Sequence, residues 1–195
     1  TDTHRLSSSS IPIENVENFK PFILPKKTVF QLCNLLQENE KNISLSISDT
    51  KIQFKIGSSK IVSKVIDGKF PDYTKVVPKS NKKNLNLKVK DFIQSIERVI
   101  TVSIDRKEGV KVTLEKGNIQ LFVNSSSSGE GKETLVADYN GENLTISFNS
   151  RYLLDIASSI EDETIIMNLN DSVSPVLIQD NSDKHSYYVI MPMKI

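Results

Sequence analysis

Few side chains in this sequence suit catalysis or metal binding. The two histidines, His4 and His185, stand near opposite ends of the chain, each alone, and Cys33 is the only cysteine. A metal site needs three or four clustered ligands, so neither a metal nor another cofactor is expected. "SSSSGEGKET" (125–134) contains Gly-Glu-Gly-Lys but lacks the spacing of a phosphate-cradling loop, and it reads as a flexible loop between strands. Cys33 falls on the apolar side of a helical pattern, where a buried, inert thiol is expected. Asp and Glu are scattered without an acid/base pair. No catalytic residue emerges, and the chain is not expected to be an enzyme.

The remaining chemistry is recognition. "IDGKFPDYTKVVP" (66–78) joins two regions of alternating pattern and holds Phe70, Pro71, Tyr73, Val76 and Val77. A passive linker is polar and rich in Gly and Ser. Apolar residues set in a connector point to a surface that something covers.

Elements must position these residues, and they repeat. "KKTVFQLCNLLQ" (26–37), "KDFIQSIERVI" (90–100) and "SRYLLDIASSI" (150–160) carry apolar residues at i, i+3/i+4 and i+7, a helical spacing. Polar pairs mark the opposite stripes: Gln31 and Asn34, Gln94 and Arg98, Arg151 and Asp155. Three alternating runs follow each helix, and one precedes it: "KPFIL", "LNLKV" and "LTISF". A strand–helix–strand–strand–strand unit therefore occurs three times, the last two helices starting about 60 residues apart. Each helix must bury its stripe on an antiparallel sheet. The expected class is α+β, with helices on one side and sheets on the other. If two units make a domain, residues 1–70 form an incomplete one, 71–78 a connector and 79–195 a complete one. Residues 1–13 read as the end of a preceding unit, and a chain opening on Thr1 is expected to be part of something longer.

Composition bounds the class. The chain has 195 residues, of which 37% are hydrophobic and 25% charged, with net charge +1. It has no apolar run near the roughly 18 residues of a membrane helix. A lone cysteine fits a reducing cytoplasm, which makes Asn-x-Ser/Thr triplets such as those at Asn42, Asn124 and Asn143 chance matches. The near-neutral charge argues against coating nucleic acid by bulk electrostatics, although a local basic face is allowed.

Four stretches carry a resemblance: "TDTHRL" (1–6), "DGKFPDYTKVVP" (67–78), "DSVSPVLI" (171–178) and "YYVIMPMKI" (187–195). They make the chain similar to the C-terminal half of the bacterial sliding clamps, the beta subunits of the replicative DNA polymerase III. That resemblance implies a clamp fold and, at full length, a ring of two subunits with helices lining the lumen and sheets outside. It implies a processivity factor that encircles double-stranded DNA without sequence preference. Its partners would be the replicative polymerase subunit, the clamp loader and other proteins bearing a clamp-binding motif.

Partners of such clamps insert a short extended peptide at the junction of the second and third domains. The resemblance carries that pocket onto Thr1, Thr3, His4, Arg5 and Leu6, then Pro71, Lys75 and Val76, then Asn149 and Tyr152, then Val173 and Pro175, and finally Val189, Met191, Pro192 and Met193. Leu6, Pro71, Val76, Val173, Val189 and Met191 would take apolar anchors, and methionines adapt to varied partners. Arg5, His4 and Asn149 would hydrogen-bond the peptide. Thr3 stands where Gly is usual, and Lys75 where Arg is usual. DNA contact is carried onto Lys26 and Lys27, with Lys79, Arg98 and Lys111 as further candidates, while Glu108 replaces a basic residue found in some clamps. Ring closure is carried onto Thr101, Val102, Ile104, Glu130 and Glu133. With half of that interface absent, the chain by itself is expected to be monomeric or weakly associating. The rival readings are a β-rich repeat protein outside the clamps that serves as an interaction module, and a small enzyme whose site exists only in three dimensions.

Overall fold

A computed structural model describes residues 1–13, 20–36, 42–103, 109–125 and 128–194. In chain order the elements are β1 (Arg5–Ser9), α1 (Lys26–Leu35), β2 (Ile43–Ile47), β3 (Lys51–Ile56), β4 (Ser59–Lys64), β5 (Lys83–Lys88), α2 (Val89–Val99), β6 (Gly109–Glu115), β7 (Asn118–Ser125), β8 (Gly129–Val136), β9 (Leu144–Asn149), α3 (Ser150–Ala157), β10 (Thr164–Leu169), β11 (Val176–Asp180) and β12 (Ser186–Ile190). They sort into two compact units, Thr1–Pro12 with Tyr73–Ile195, and Ile13–Asp72.

The larger unit is built from two copies of the repeat, β5-α2-β6-β7-β8 and β9-α3-β10-β11-β12. The copies exchange their first strands. One sheet runs β8-β7-β6-β9, and the other runs β1-β12-β11-β10-β5. Each copy's leading strand therefore completes the other copy's sheet, which ties the two into one fold. Strand alternation supplies the core: β6 buries Val110, Val112 and Leu114, and β7 buries Ile119, Leu121 and Val123. Phe92 and Ile96 of α2 meet Leu153 and Ile156 of α3 in the same apolar cluster. Helix ends agree with this placement. Asp91 lies in the first turn of α2 and Arg98 in its last, both favourable to the helix dipole. Asn149 caps α3, its side-chain oxygen accepting from the Tyr152 N–H at 3.2 Å.

The smaller unit holds α1 and the sheet β2-β3-β4. Its sheet buries Ile52, Phe54 and Ile56 on one face. Pro25 starts α1, and its carbonyl accepts from the N–H groups of Thr28 and Val29. Only Thr28 of this helix is buried.

Several expectations change. "KPFIL" forms one bridge, Ile23 to Ile66, rather than a strand. Cys33 is exposed, because the α1 face that carries it is itself open. "GEGKET" belongs to β8, paired residue for residue with β7, rather than to a loop. Gly131 suits that strand because a Cβ there would lie 2.5 Å from the Val99 carbonyl. Leu6 pairs with Val189 and Arg5 with Ile190, so β1 adds an edge strand to the last sheet. Among the described residues, no helix is long and apolar enough to cross a membrane. Gln37, Ile104 and Glu108 lie outside the described residues.

Candidate functional site

The β1–β12 pairing draws most of the candidate site into one unit. Leu6 and Arg5 pair with Val189 and Ile190, and the Met191 N–H donates to the His4 carbonyl at 2.9 Å. The Met193 N–H donates to the Ser147 carbonyl of β9 at 2.7 Å, which pins the tail against the strand leading into α3. Tyr152 in the first turn of α3 stands beside the opening stretch: its ring stacks with His4 at 6.4 Å between centroids, and the Arg5 guanidinium lies 4.2 Å from its centroid. Of the sixteen residues proposed from the sequence, Pro71 alone belongs to the other unit.

Burial separates their roles. Leu6 and Val189 are buried, so they form the floor. Tyr152, Met191, Pro192 and Met193 are half-buried, and Pro175 is too. Val173 is 65% exposed and Val76 46% exposed, so these two valines present apolar surface to solvent. Lys75 is exposed at the end of a short 3-10 turn, Tyr73–Lys75.

The opening turn is held tightly. Thr3 has φ +72°, the only non-glycine in the left-handed region among the described residues. A β-branched residue is strained there by about 1–2 kcal/mol, which explains why Gly suits the position. The Asp2 carboxylate secures the turn by accepting from the N–H groups of His4 at 3.2 Å and Arg5 at 3.0 Å. The Thr1 hydroxyl donates to the Arg5 carbonyl at 2.7 Å. Burial would raise the Asp2 carboxyl, but the hydrogen bonds from Arg5 and these backbone groups hold it below its usual range.

A second turn presents Val173. The Asp171 carboxylate accepts from the Val173 N–H, the Ser174 N–H and the Ser174 hydroxyl at 2.9, 2.7 and 2.7 Å. The Ser174 hydroxyl and these N–H groups hold the carboxyl down at about 2. Asn81 closes the base, donating to the carbonyls of Asn168 and Pro175 at 2.7 and 3.0 Å. Sequence reasoning passed over Asp2, Asn81 and Asp171, and gave Asp155 only a place on the polar stripe of its helix. An Asp three residues before Ser174 in "DSVS" is a turn signal that finds Asp171; nothing local finds Asn81.

The proposed polar contacts are partly engaged. Asn149 spends its oxygen on the α3 cap, which leaves its amide N–H groups for a ligand. Arg5 donates to Asp2 through Nε at 3.1 Å and to Asp155 through Nη1 at 2.5 Å. Hydrogen bonding to Asp155, together with that to Asp2, holds its charge firmly in place.

The DNA candidates fall in both units, Lys26 and Lys27 in the smaller and Lys79, Arg98 and Lys111 in the larger. Lys26 and Lys27 open α1, where cations oppose the helix dipole, and Lys26 leans on the Phe30 ring. Lys79 is exposed after the connector. Arg98 is bound to Glu133 by two hydrogen bonds, at 2.7 and 2.8 Å, which also hold the Glu133 carboxyl below its usual range. This pair joins a DNA candidate to a ring-closure candidate. Lys111 alternates with the buried Val110 and Val112 on β6, so it projects from the sheet face away from α2 and not from the helix layer. Glu130 and Glu133 lie on β8, an edge strand, with Thr101 and Val102 in a 3-10 turn after α2. Among the described residues, no group of His, Cys, Asp and Glu could hold a metal ion.

The chain matches the descriptions of two clamp domains, the DNA polymerase III beta subunit central domain over residues 1–72 and its C-terminal domain over 74–194. It is 36% identical to the beta sliding clamp of Caulobacter vibrioides and 32% identical to that of Escherichia coli K12, each over its whole length and 53% of theirs. The chain thus spans about half the length of the curated relatives it matches. A solved sliding clamp from Bartonella birtlesii, bound to griselimycin, is 40% identical with a TM-score of 0.95, covering all of this chain and 53% of that one.

Proposed function

This chain belongs to the family of DNA polymerase III beta subunits, the bacterial sliding clamps, and from that premise we propose that it supplies the partner-binding portion of a replication processivity factor. The observation that carries this reading is the convergence of residues 1–6, 149–152, 173–175 and 189–193 in one unit, with the apolar side chains of Val173, Met191 and Tyr152 partly open above a buried floor. A mostly extended peptide with one or two apolar anchors fits such a surface: the valines and methionines take the anchors, and the Asn149 amide and Arg5 donate to its carbonyls. Leu6 and Val189 are buried, so a ligand meets the rim side chains rather than the floor.

At full length the family role is a non-catalytic ring. It slides on double-stranded DNA through weak, sequence-independent phosphate contacts and tethers polymerase, clamp loader and other motif-bearing proteins. Lys26 and Lys27 are the strongest candidates here for phosphate contact, and the β8 edge with the turn at Thr101–Val102 for ring closure. The whole-chain match to clamps leaves a repeat protein of another kind without support.

The test is a titration of fluorescein-labelled Gln-Leu-x-Leu-Phe peptide into the protein, followed by polarization. Saturable binding at micromolar concentrations, lost in a Val173→Asp/Met191→Ala variant with an unchanged circular dichroism spectrum, supports the reading. Equal binding by the variant, or none by the unaltered folded chain, refutes it.

A further inference from the structure

Arg5 reaches three groups at once: Asp2 from its own turn, and Tyr152 and Asp155 from α3. Tyr152 and Asp155 are three residues apart on α3, hence neighbours on one face of the helix. The guanidinium that hydrogen-bonds Asp155 at 2.5 Å lies over the Tyr152 ring at 4.2 Å. Asp2 takes Nε from the opposite quarter at 3.1 Å. A long, flexible side chain is thereby fixed at both ends of its planar head, across the ring of a half-buried tyrosine. An Arg free in solvent loses side-chain entropy on binding; one already stretched over an aromatic face does not lose it again.

We propose that Asp155 is a positioning residue of the peptide site, holding Arg5 across Tyr152 so that both are set before a ligand arrives. This rests on the peptide-site reading above. Two of the five guanidinium N–H groups are spent on Asp2 and Asp155, and the rest stay directed by that clamp. Arg5 covers one ring face and His4 stacks with the same ring, so a ligand side chain meets Tyr152 where these two leave it open.

Asp155 is half exposed, so its removal leaves the core untouched. The experiment is a double-mutant cycle read by peptide polarization, with Arg5→Ala, Asp155→Ala and the two combined, using the labelled Gln-Leu-x-Leu-Phe peptide. Melting curves establish that each variant is folded, and Asp155→Asn replaces Asp155→Ala if the latter is not. Asp155→Ala is expected to weaken binding about five- to tenfold. In the Arg5→Ala background it is expected to change affinity less than about twofold, because its effect passes through Arg5. Unchanged affinity in Asp155→Ala overturns the proposal while the peptide site stands. So does a full loss that persists without Arg5, since Asp155 then acts on its own. No binding by the unaltered chain overturns the peptide site itself and this proposal with it.

Discussion

Three helices carry the same apolar spacing, but they meet different fates. In α2 and α3 the stripe is buried: Phe92 is 1% exposed, and Ile96 and Leu153 are fully covered. In α1 the corresponding stripe is open, with Phe30 58% exposed and Val29, Leu35 and Leu36 also outside. The larger unit contains two repeats that pack α2 on α3 and exchange leading strands. The smaller unit contains one repeat among its described residues, with α1 as its one helix. Periodicity therefore specifies a face, and a second repeat is what covers it. Burying a stripe is a property of the pair.

This difference should appear directly in stability. Phe92→Ala should cost about 3–5 kcal/mol by cavity formation, whereas Phe30→Ala should cost less than about 0.5 kcal/mol; urea unfolding of the two variants compares them. Equal costs would break the contrast. Gly131→Ala sharpens it, because the new Cβ meets the Val99 backbone at the end of α2. A loss of about 1–3 kcal/mol is expected from that crowding. At the opening turn, Thr3→Gly should stabilise the larger unit by up to about 1 kcal/mol, since the left-handed backbone no longer meets a β-branched side chain. The same variant should leave the smaller unit's melting unchanged.

The smallest effect is local and depends on pH. The Asp171 carboxyl titrates at about 2 in the fold, against 3.8 ordinarily. A carboxyl depressed in this way contributes stability that is complete above the ordinary value and is lost as pH falls from there through about 2. The Val173 turn should therefore persist at pH 4 and loosen between pH 4 and pH 2, seen as movement of the Val173 and Ser174 amide resonances. Asp171→Asn should shift that loosening to neutral pH. The Arg5 turn, held by Asp2, should follow the same direction.

The sequence made the repeat visible because period-two runs in "VKVTL", "IQLFV" and "TIIMNL" and the three helical stripes are strong local signals. It did not reveal that β5 joins β10 or that β1 joins β12, since pairing across such distances is decided by which edges remain open. "GEGKET" hid a strand, because Gly131 is chosen for close approach to Val99 rather than for strand propensity. Cys33 was placed on the correct face, but the pattern could not say whether that face had a cover. At the site, the apolar candidates were legible through the resemblance. Their supports were not: Asn81 and Asp155 act on residues far along the chain, and no local pattern announces such contacts.

The most direct test of the account is an amide map of the labelled chain with and without the Gln-Leu-x-Leu-Phe peptide. The predicted result is that shifts concentrate at residues 3–6, 149–155, 171–176 and 189–193, with the amides of β2, β3 and β4 unmoved. Shifts centred on α1 or on the β8 edge, with the amides around Tyr152 and Met191 silent, would contradict it.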